Sequence, residues 1–308
     1  MLLIFSLIAI IWFYVRIVRT FILRYKEHQR LENAFGYDPD TRVLKDVGDP
    51  RCKLVNSDTI VLMLPGMGCF PSRFDPLIEH LDQHDVSYIA PRHPYYAKQE
   101  FPRELPYTTN DHVAAFFDQV FKFIRPNYKN VILVTHSAGS TIASWLMNRY
   151  TVEGCIMLAP NIVEVEKRKW IKQLVMHPIG QWFMYLVVGL TGHSKLYNNP
   201  SLCDTVNKGH YYSNQWASIH TMTRARSMWE FQDMKCGVWN VPNVLFWFGA
   251  LDTTNSSPQI QKKEITRRCK KYVINIAEGC AHNILQEECI DEVIHSILSY
   301  IKDPINYE

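Results

Sequence analysis

The sequence predicts an α/β fold: a mostly parallel central sheet with a helical cap inserted after the sixth core strand. Three observations lead there. From residue 58 onward, short apolar runs of strand length alternate with longer amphipathic segments, the pattern of βαβ units on a sheet buried on both faces. One of those strands runs through a tight Ser-Ala-Gly turn directly into a helix. A single interval, residues 161–240, breaks the alternation with about eighty residues, too many for an unstructured connection in a compact domain.

The chain opens on MLLIFSLIAIIWFYV, uncharged through residue 15, and its apolar character resumes between Arg16 and Arg24. Residues 1–26 therefore read as an N-terminal membrane anchor. A helix of about 20 residues spans the hydrocarbon core, so either Arg16 and Arg19 snorkel in a tilted span or the helix lies in the interface. A cleaved signal peptide fits less well, because no basic residue precedes the apolar run and no small-x-small site follows it. The cationic cluster follows the apolar run, which by the positive-inside tendency places the globular part on the cytosolic side.

Residues 27–57 are polar and irregular and read as a linker with one or two edge strands. The core occupies 58–160 and 241–308, with strands at 59–65, 87–91, 131–136, 154–160, 243–249 and 271–277. Helical spacing appears at 71–84, at 108–124 with Thr109 and Asn110 as caps, at 137–150 and at 288–301. Between the two halves of the core lies the cap, 161–240, which carries Trp170, Trp182, Phe183, Tyr185, Tyr197, Tyr211, Tyr212, Trp216 and Trp229. Internal packing of that cap explains QWFMYLVVGL at 181–190 more economically than a second membrane-contacting surface.

Composition narrows the function classes. Apolar residues are 47% and charged residues 20% of the chain, which suits a large core and not a disordered chain. The formal charge is +3, but residues 1–30 hold five cations against Glu27, so the remainder is one charge negative. A near-neutral globular part without a basic stripe gives no reason to expect nucleic-acid binding. The eight cysteines show no CxxC pair and no Cys/His metal spacing, so they read as free thiols and no metal is expected. With no P-loop and no G-x-G-x-x-G opening a helix, no cofactor is implied either.

The sharpest chemical signal is VILVTHSAGSTIASWL, a β-branched strand that passes through His136-Ser137-Ala138-Gly139 into a helix. Such a turn lifts the serine hydroxyl above the sheet, and the helix N-terminus favours developing negative charge. A serine hydroxyl at neutral pH needs an adjacent base, itself oriented by a partner. Asp252 follows the apolar strand NVLFWFG, and His282 falls between the last strand and the final helix.

On these residues the chain resembles the α/β-hydrolase family, whose G-x-S-x-G elbow appears as Thr135-His136-Ser137-Ala138-Gly139, with Thr135 replacing the first glycine. Gly249 and Asp252 resemble the family's G-x-x-D. The glycine usual immediately before the family's histidine is absent, since Gly279 lies three residues upstream of His282. Pro65-Gly66-Met67-Gly68 resembles the H-G-x-x oxyanion turn, with proline in place of histidine.

The resemblance implies Ser137 as nucleophile, His282 as base and Asp252 as orienting acid, with Met67 and Ala138 as oxyanion donors and Gly66, Gly68, His136 and Gly139 shaping the turns. It covers roughly residues 58–300. Together with the apolar N-terminal segment and the aromatic cap, it points to a membrane-anchored serine hydrolase that cleaves an acyl ester or thioester of a lipid-like substrate. The same elbow also serves acyl transfer and peptide cleavage, and a non-catalytic binding module is a further possibility on this fold. One N-x-S sequon, Asn255-Ser256-Ser257, lies three residues from Asp252; with Pro258 following, it reads as an unmodified loop.

Overall fold

The computed structural model describes residues 51–66, 71–91, 117–118, 120–162, 238–253 and 257–308. These form a seven-stranded sheet ordered β1-β3-β2-β4-β5-β6-β7. The strands are β1 (Cys52–Lys53), β2 (Thr59–Leu64), β3 (Ser87–Ile89), β4 (Asn130–His136), β5 (Gly154–Leu158), β6 (Val244–Gly249) and β7 (Tyr272–Ala277). Every pairing is parallel except β1 with β3. Each of the six strands expected from the apolar runs is present to within about two residues at either end.

Those runs are apolar throughout because both faces of the sheet are covered. In β2, Ile60, Leu62 and Leu64 enter one core cluster while Val61 and Met63 enter the other. In β4, Val131 and Leu133 take the first side and Ile132 and Val134 the second. This is the period-two alternation of strand side chains, with no polar face left for solvent.

On the first side lie α2 (Gly139–Arg149), with Ile142, Ala143, Leu146 and Met147, and helical residues 120–124, with Val120, Phe121 and Ile124. On the second lie α1 (Asp75–Leu81) and α4 (Ile290–Lys302), whose Val293, Ile294, Ile297, Tyr300 and Ile301 repeat at helical spacing. Asp291 and Glu292 in the first turn of α4 and Lys302 in its last complement the helix dipole.

The interval at 161–240 follows β5, the fifth described strand, and the second edge strand that would make it the sixth falls before residue 51, outside the described residues. Two expectations need adjustment. A helix absent from the periodicity reading, α3 (Pro258–Arg268), follows the Asp252 loop, with Pro258 in its first turn, where a missing N–H costs nothing. The cysteines are not all free: Cys280 and Cys289 form a disulfide, while Cys52, Cys155 and Cys269 are thiols.

The expected anchor at 1–26, residues 27–50 of the expected linker and most of the expected cap lie outside the described residues, as does Asn255 of the sequon. Among the described residues no helix is long and apolar enough to cross a membrane.

Candidate active site

The site is built at the C-terminal ends of β4, β6 and β7, where parallel strands deliver their following loops to one edge. At the end of β4 the chain turns sharply. Ser137 adopts φ 51°, the left-handed region, which for a residue with a Cβ costs about 1–2 kcal/mol. The turn is held from three directions. The Ser137 N–H donates to the Leu158 carbonyl oxygen at 2.9 Å, the Ser140 hydroxyl donates to the Ser137 carbonyl at 2.7 Å, and the Asn161 N–H donates to Ser140 Oγ at 3.0 Å.

Gly139 is required by packing: a Cβ there would lie 2.1 Å from the Leu64 carbonyl oxygen, so only glycine lets the start of α2 press onto β2. Thr135, the departure from the family pattern, sits inside β4, paired with Leu64 and Met157. Its backbone is extended, where a β-branched residue is favoured, and the strained turn begins only at Ser137.

The three side chains expected to meet do meet. His282 Nε2 lies 2.9 Å from Ser137 Oγ, and His282 Nδ1 lies 2.8 Å from Asp252 Oδ2. The side chains of His282 and Asp252 are 6% and 8% exposed, which removes most of the water that would compete for their hydrogen bond. A carboxylate can only accept, so Nδ1 carries the proton it donates to Asp252. That leaves Nε2 of the neutral ring with a lone pair facing the serine hydroxyl. The arrangement can take a proton from Oγ as the hydroxyl attacks an electrophilic carbon and return it to a leaving group.

Ala138 is the N-cap residue of α2, and its N–H stands among the first N–H groups of that helix, which lack intrahelical acceptors. Gly66 is close under the elbow: a Cβ there would lie 3.0 Å from both the His136 carbonyl oxygen and Ser137 Cβ. The expected second oxyanion donor, Met67, and Gly68 lie outside the described residues.

His136, expected only to shape the elbow, and two residues to which the sequence assigned no role complete the surroundings. His136 is buried and its Nε2 donates to the backbone carbonyl of His282 at 3.0 Å. Burial holds its pKa well below the ordinary 6.5, helped by the nearby His282 and the Arg73 guanidinium, so the ring is neutral at physiological pH. Arg73, buried just before α1, donates to Gln286 Oε1 and so ties this face of the core to the loop after β7. In that loop the buried Glu287 accepts from the N–H groups of Ala281 at 2.8 Å and Asn283 at 3.1 Å. Neither Arg73 nor Glu287 announces itself in sequence, where each is one charged residue among polar neighbours. Among the described residues no cluster of His, Cys, Asp and Glu could hold a metal ion.

The sheet and the strand-turn-helix at Ser137 define the class: an α/β-hydrolase. Within that class the chain belongs to the serine aminopeptidase S33 family (Hydrolase_4), whose model matches residues 55–289. Similar solved structures include an esterase from Exiguobacterium antarcticum, at 16% identity over 81% of this chain and 94% of that one, with a TM-score of 0.59. Potato (Solanum tuberosum) epoxide hydrolase I is similar at 16% identity, 80% and 94% coverage and a TM-score of 0.62. A monoacylglycerol lipase from Paleococcus ferrophilus follows at 16% identity, 79% and 93% coverage and a TM-score of 0.57. At such identity these likenesses speak for the fold alone. No curated protein sequence matches the chain.

Proposed function

We propose that this α/β-hydrolase is a serine hydrolase that cleaves an acyl ester or thioester of a lipid-like substrate through an acyl-enzyme on Ser137. The observation that carries the reading is the unbroken line of hydrogen bonds from Ser137 Oγ through His282 to Asp252, at 2.9 and 2.8 Å. Ser137 Oγ attacks the acyl carbon while His282 Nε2 takes its proton. The carbonyl oxygen becomes an oxyanion held by the N–H groups of Ala138 and, from the turn after β2, Met67. Collapse breaks the bond to the alcohol or thiol, which leaves with the proton from His282. Water, deprotonated by the same imidazole, then attacks the acyl-enzyme and regenerates Ser137.

Support for a lipid-like acyl group comes from the aromatic content of residues 161–240 and from the apolar segment 1–26, which in this reading anchors the enzyme at the bilayer that supplies its substrate. The esterase and the monoacylglycerol lipase among the similar structures agree with it. On the side of the membrane two observations point apart. The cationic flank of the anchor favours the cytosol, whereas the Cys280–Cys289 disulfide belongs to an oxidising compartment. Protease protection of the intact chain in sealed vesicles separates them.

A second reading, peptide cleavage, is favoured by the name of the family, serine aminopeptidase. Acyl transfer to an alcohol or thiol uses the same residues. The deciding experiment has two arms. A fluorophosphonate probe should label the wild type and not Ser137→Ala; labelling that persists in the variant removes Ser137 as nucleophile. A panel of acyl esters, acyl thioesters and aminoacyl amides, each with and without an acceptor alcohol, then separates the three reactions.

A further inference from the structure

His282 sits between β7 and the 3-10 segment Ile284–Gln286, in a stretch whose own backbone belongs to neither a strand nor a helix. Its position nevertheless decides whether Nε2 meets Ser137 Oγ at 2.9 Å. Buried backbone polar groups in such a segment must find side-chain partners, and here the partners have a definite pattern. The N–H on the N-terminal side of His282, from Ala281, donates to Oε2 of Glu287 at 2.8 Å. The N–H on the C-terminal side, from Asn283, donates to Oε1 of the same carboxylate at 3.1 Å. The carbonyl of His282 itself accepts from His136 Nε2 at 3.0 Å. Three successive residues are thus gripped by two side chains, both almost fully buried, at 3% and 1% exposure.

Resting on the reading of His282 as general base, we propose that Glu287 and His136 are positioning residues that fix the backbone of His282 to the nucleophile turn. Glu287 sets the path of the loop. A carboxylate buried to this degree is tolerated where its oxygens accept strong bonds, and two N–H groups straddling one residue hold that residue against both translation and twist. His136 supplies the reference point. It immediately precedes Ser137, so its bond to the His282 carbonyl ties the base to the backbone that presents the hydroxyl. A carbonyl can only accept, which assigns the proton of the neutral ring to Nε2.

A role confined to closing the local turn after the 3-10 segment Ile284–Gln286 would explain one Glu287 bond. It does not explain why the two oxygens bracket His282, or why the third contact comes from the residue beside the serine 145 positions away. Nucleophile and base side chains must hold their geometry closely, since displacement by about 1 Å costs on the order of 100-fold in rate.

The test uses the full-length protein and four variants, Glu287→Gln, His136→Phe, His136→Gln and Ser137→Ala, with kcat and KM on a short-chain acyl ester and thermal melting as a check of folding. Glu287→Gln keeps shape but turns an amide N–H towards one of the two backbone donors. A kcat about 10- to 100-fold below wild type, with KM within about two-fold, is expected for it and for His136→Phe. His136→Gln, which can place an N–H near the Nε2 position, should recover at least about ten-fold over His136→Phe.

A folded Glu287→Gln protein with kcat within two-fold of wild type, or equal rates for the two His136 variants, overturns the proposal. The His282 Nδ1 proton shared with Asp252, followed by NMR in slow exchange, gives a readout independent of turnover. It should broaden or vanish in Glu287→Gln and His136→Phe, and its persistence in both overturns the proposal even if the wild type turns over no ester. Ester hydrolysis retained by Ser137→Ala, in contrast, would defeat the serine-hydrolase reading and leave the clamp to be judged by that proton alone.

Discussion

Gly249 and the carbonyl oxygen of Ala281 are so close that a Cβ on Gly249 would lie 1.9 Å from it. Gly249 ends β6 and Ala281 immediately precedes His282, so this contact sets the separation between the loop carrying Asp252 and the loop carrying His282. The obstacle is backbone, which cannot swing aside as a side chain would. Gly249→Ala must therefore push the two loops apart by an ångström or more. A folded Gly249→Ala protein should lose at least about 100-fold in kcat, measured on an acyl ester with circular dichroism as the folding control. Full activity would mean that the Asp252–His282 distance tolerates a shift the geometry forbids.

Asp252→Asn tests the tautomer directly. An amide nitrogen facing Nδ1 offers a donor where the imidazole needs an acceptor. The ring then carries its proton on Nε2, pointed at Ser137 Oγ, and cannot accept the hydroxyl proton. In a well-studied serine protease the equivalent change lowers kcat by about 10⁴. A fall on the order of 10³–10⁴ is expected here, with little change in melting temperature, and stopped-flow labelling by a fluorophosphonate would read it without any assumption about the natural substrate. A fall of less than ten-fold would place the orienting acid elsewhere.

What the sequence displayed and what it hid follow from burial. The strands were legible because a sheet covered on both faces demands an apolar residue at every position, as in Val131–Val134. Helix α3 was hidden because only Gln261 and Ile265 are buried along its eleven residues, too few to mark a periodic face. Ser137, Asp252 and His282 were legible because each follows a strand, in an order the family shares. Glu287 was not, since it stands beside Glu288, which is exposed, and nothing local distinguishes the gripping carboxylate from its solvated neighbour. The Cys280–Cys289 bond was equally hidden: eight cysteines allow about a hundred full pairings, and spacing alone selects none.

That bond yields a prediction of its own. Its two cysteines are nine positions apart and enclose His282, Asn283 and Glu287. Closing so short a loop restricts the unfolded chain by roughly 3 kcal/mol on the chain-entropy model. For a domain of this size, reduction or the paired change Cys280→Ser, Cys289→Ser should lower Tm by about 5–10 °C. Because the loop holds the base, kcat should fall together with Tm, and differential scanning calorimetry and ester hydrolysis with and without a thiol reductant report both. Insensitivity of both to reductant, with the bond shown open by thiol titration, would make the link dispensable.

His136 makes stability depend on pH in a definite direction. Burial depresses its pKa in the folded protein well below the 6.5 expected when the chain is unfolded. Above about pH 7 the ring is neutral in both states and contributes no pH dependence. As pH falls below 6.5 the unfolded chain binds a proton that the folded protein does not, so unfolding gains free energy and stability declines with falling pH until the depressed folded pKa is reached. His136→Phe removes the titrating group, so its unfolding free energy should fall less steeply between about pH 6.5 and pH 5 than that of the wild type, by up to one proton's worth of slope. Urea unfolding of both proteins across that range measures the difference. Parallel curves would mean that the ring binds its proton as readily in the folded protein as in the unfolded chain, and then below pH 6.5 Nδ1 as well as Nε2 would carry a proton within the core beside Gly66.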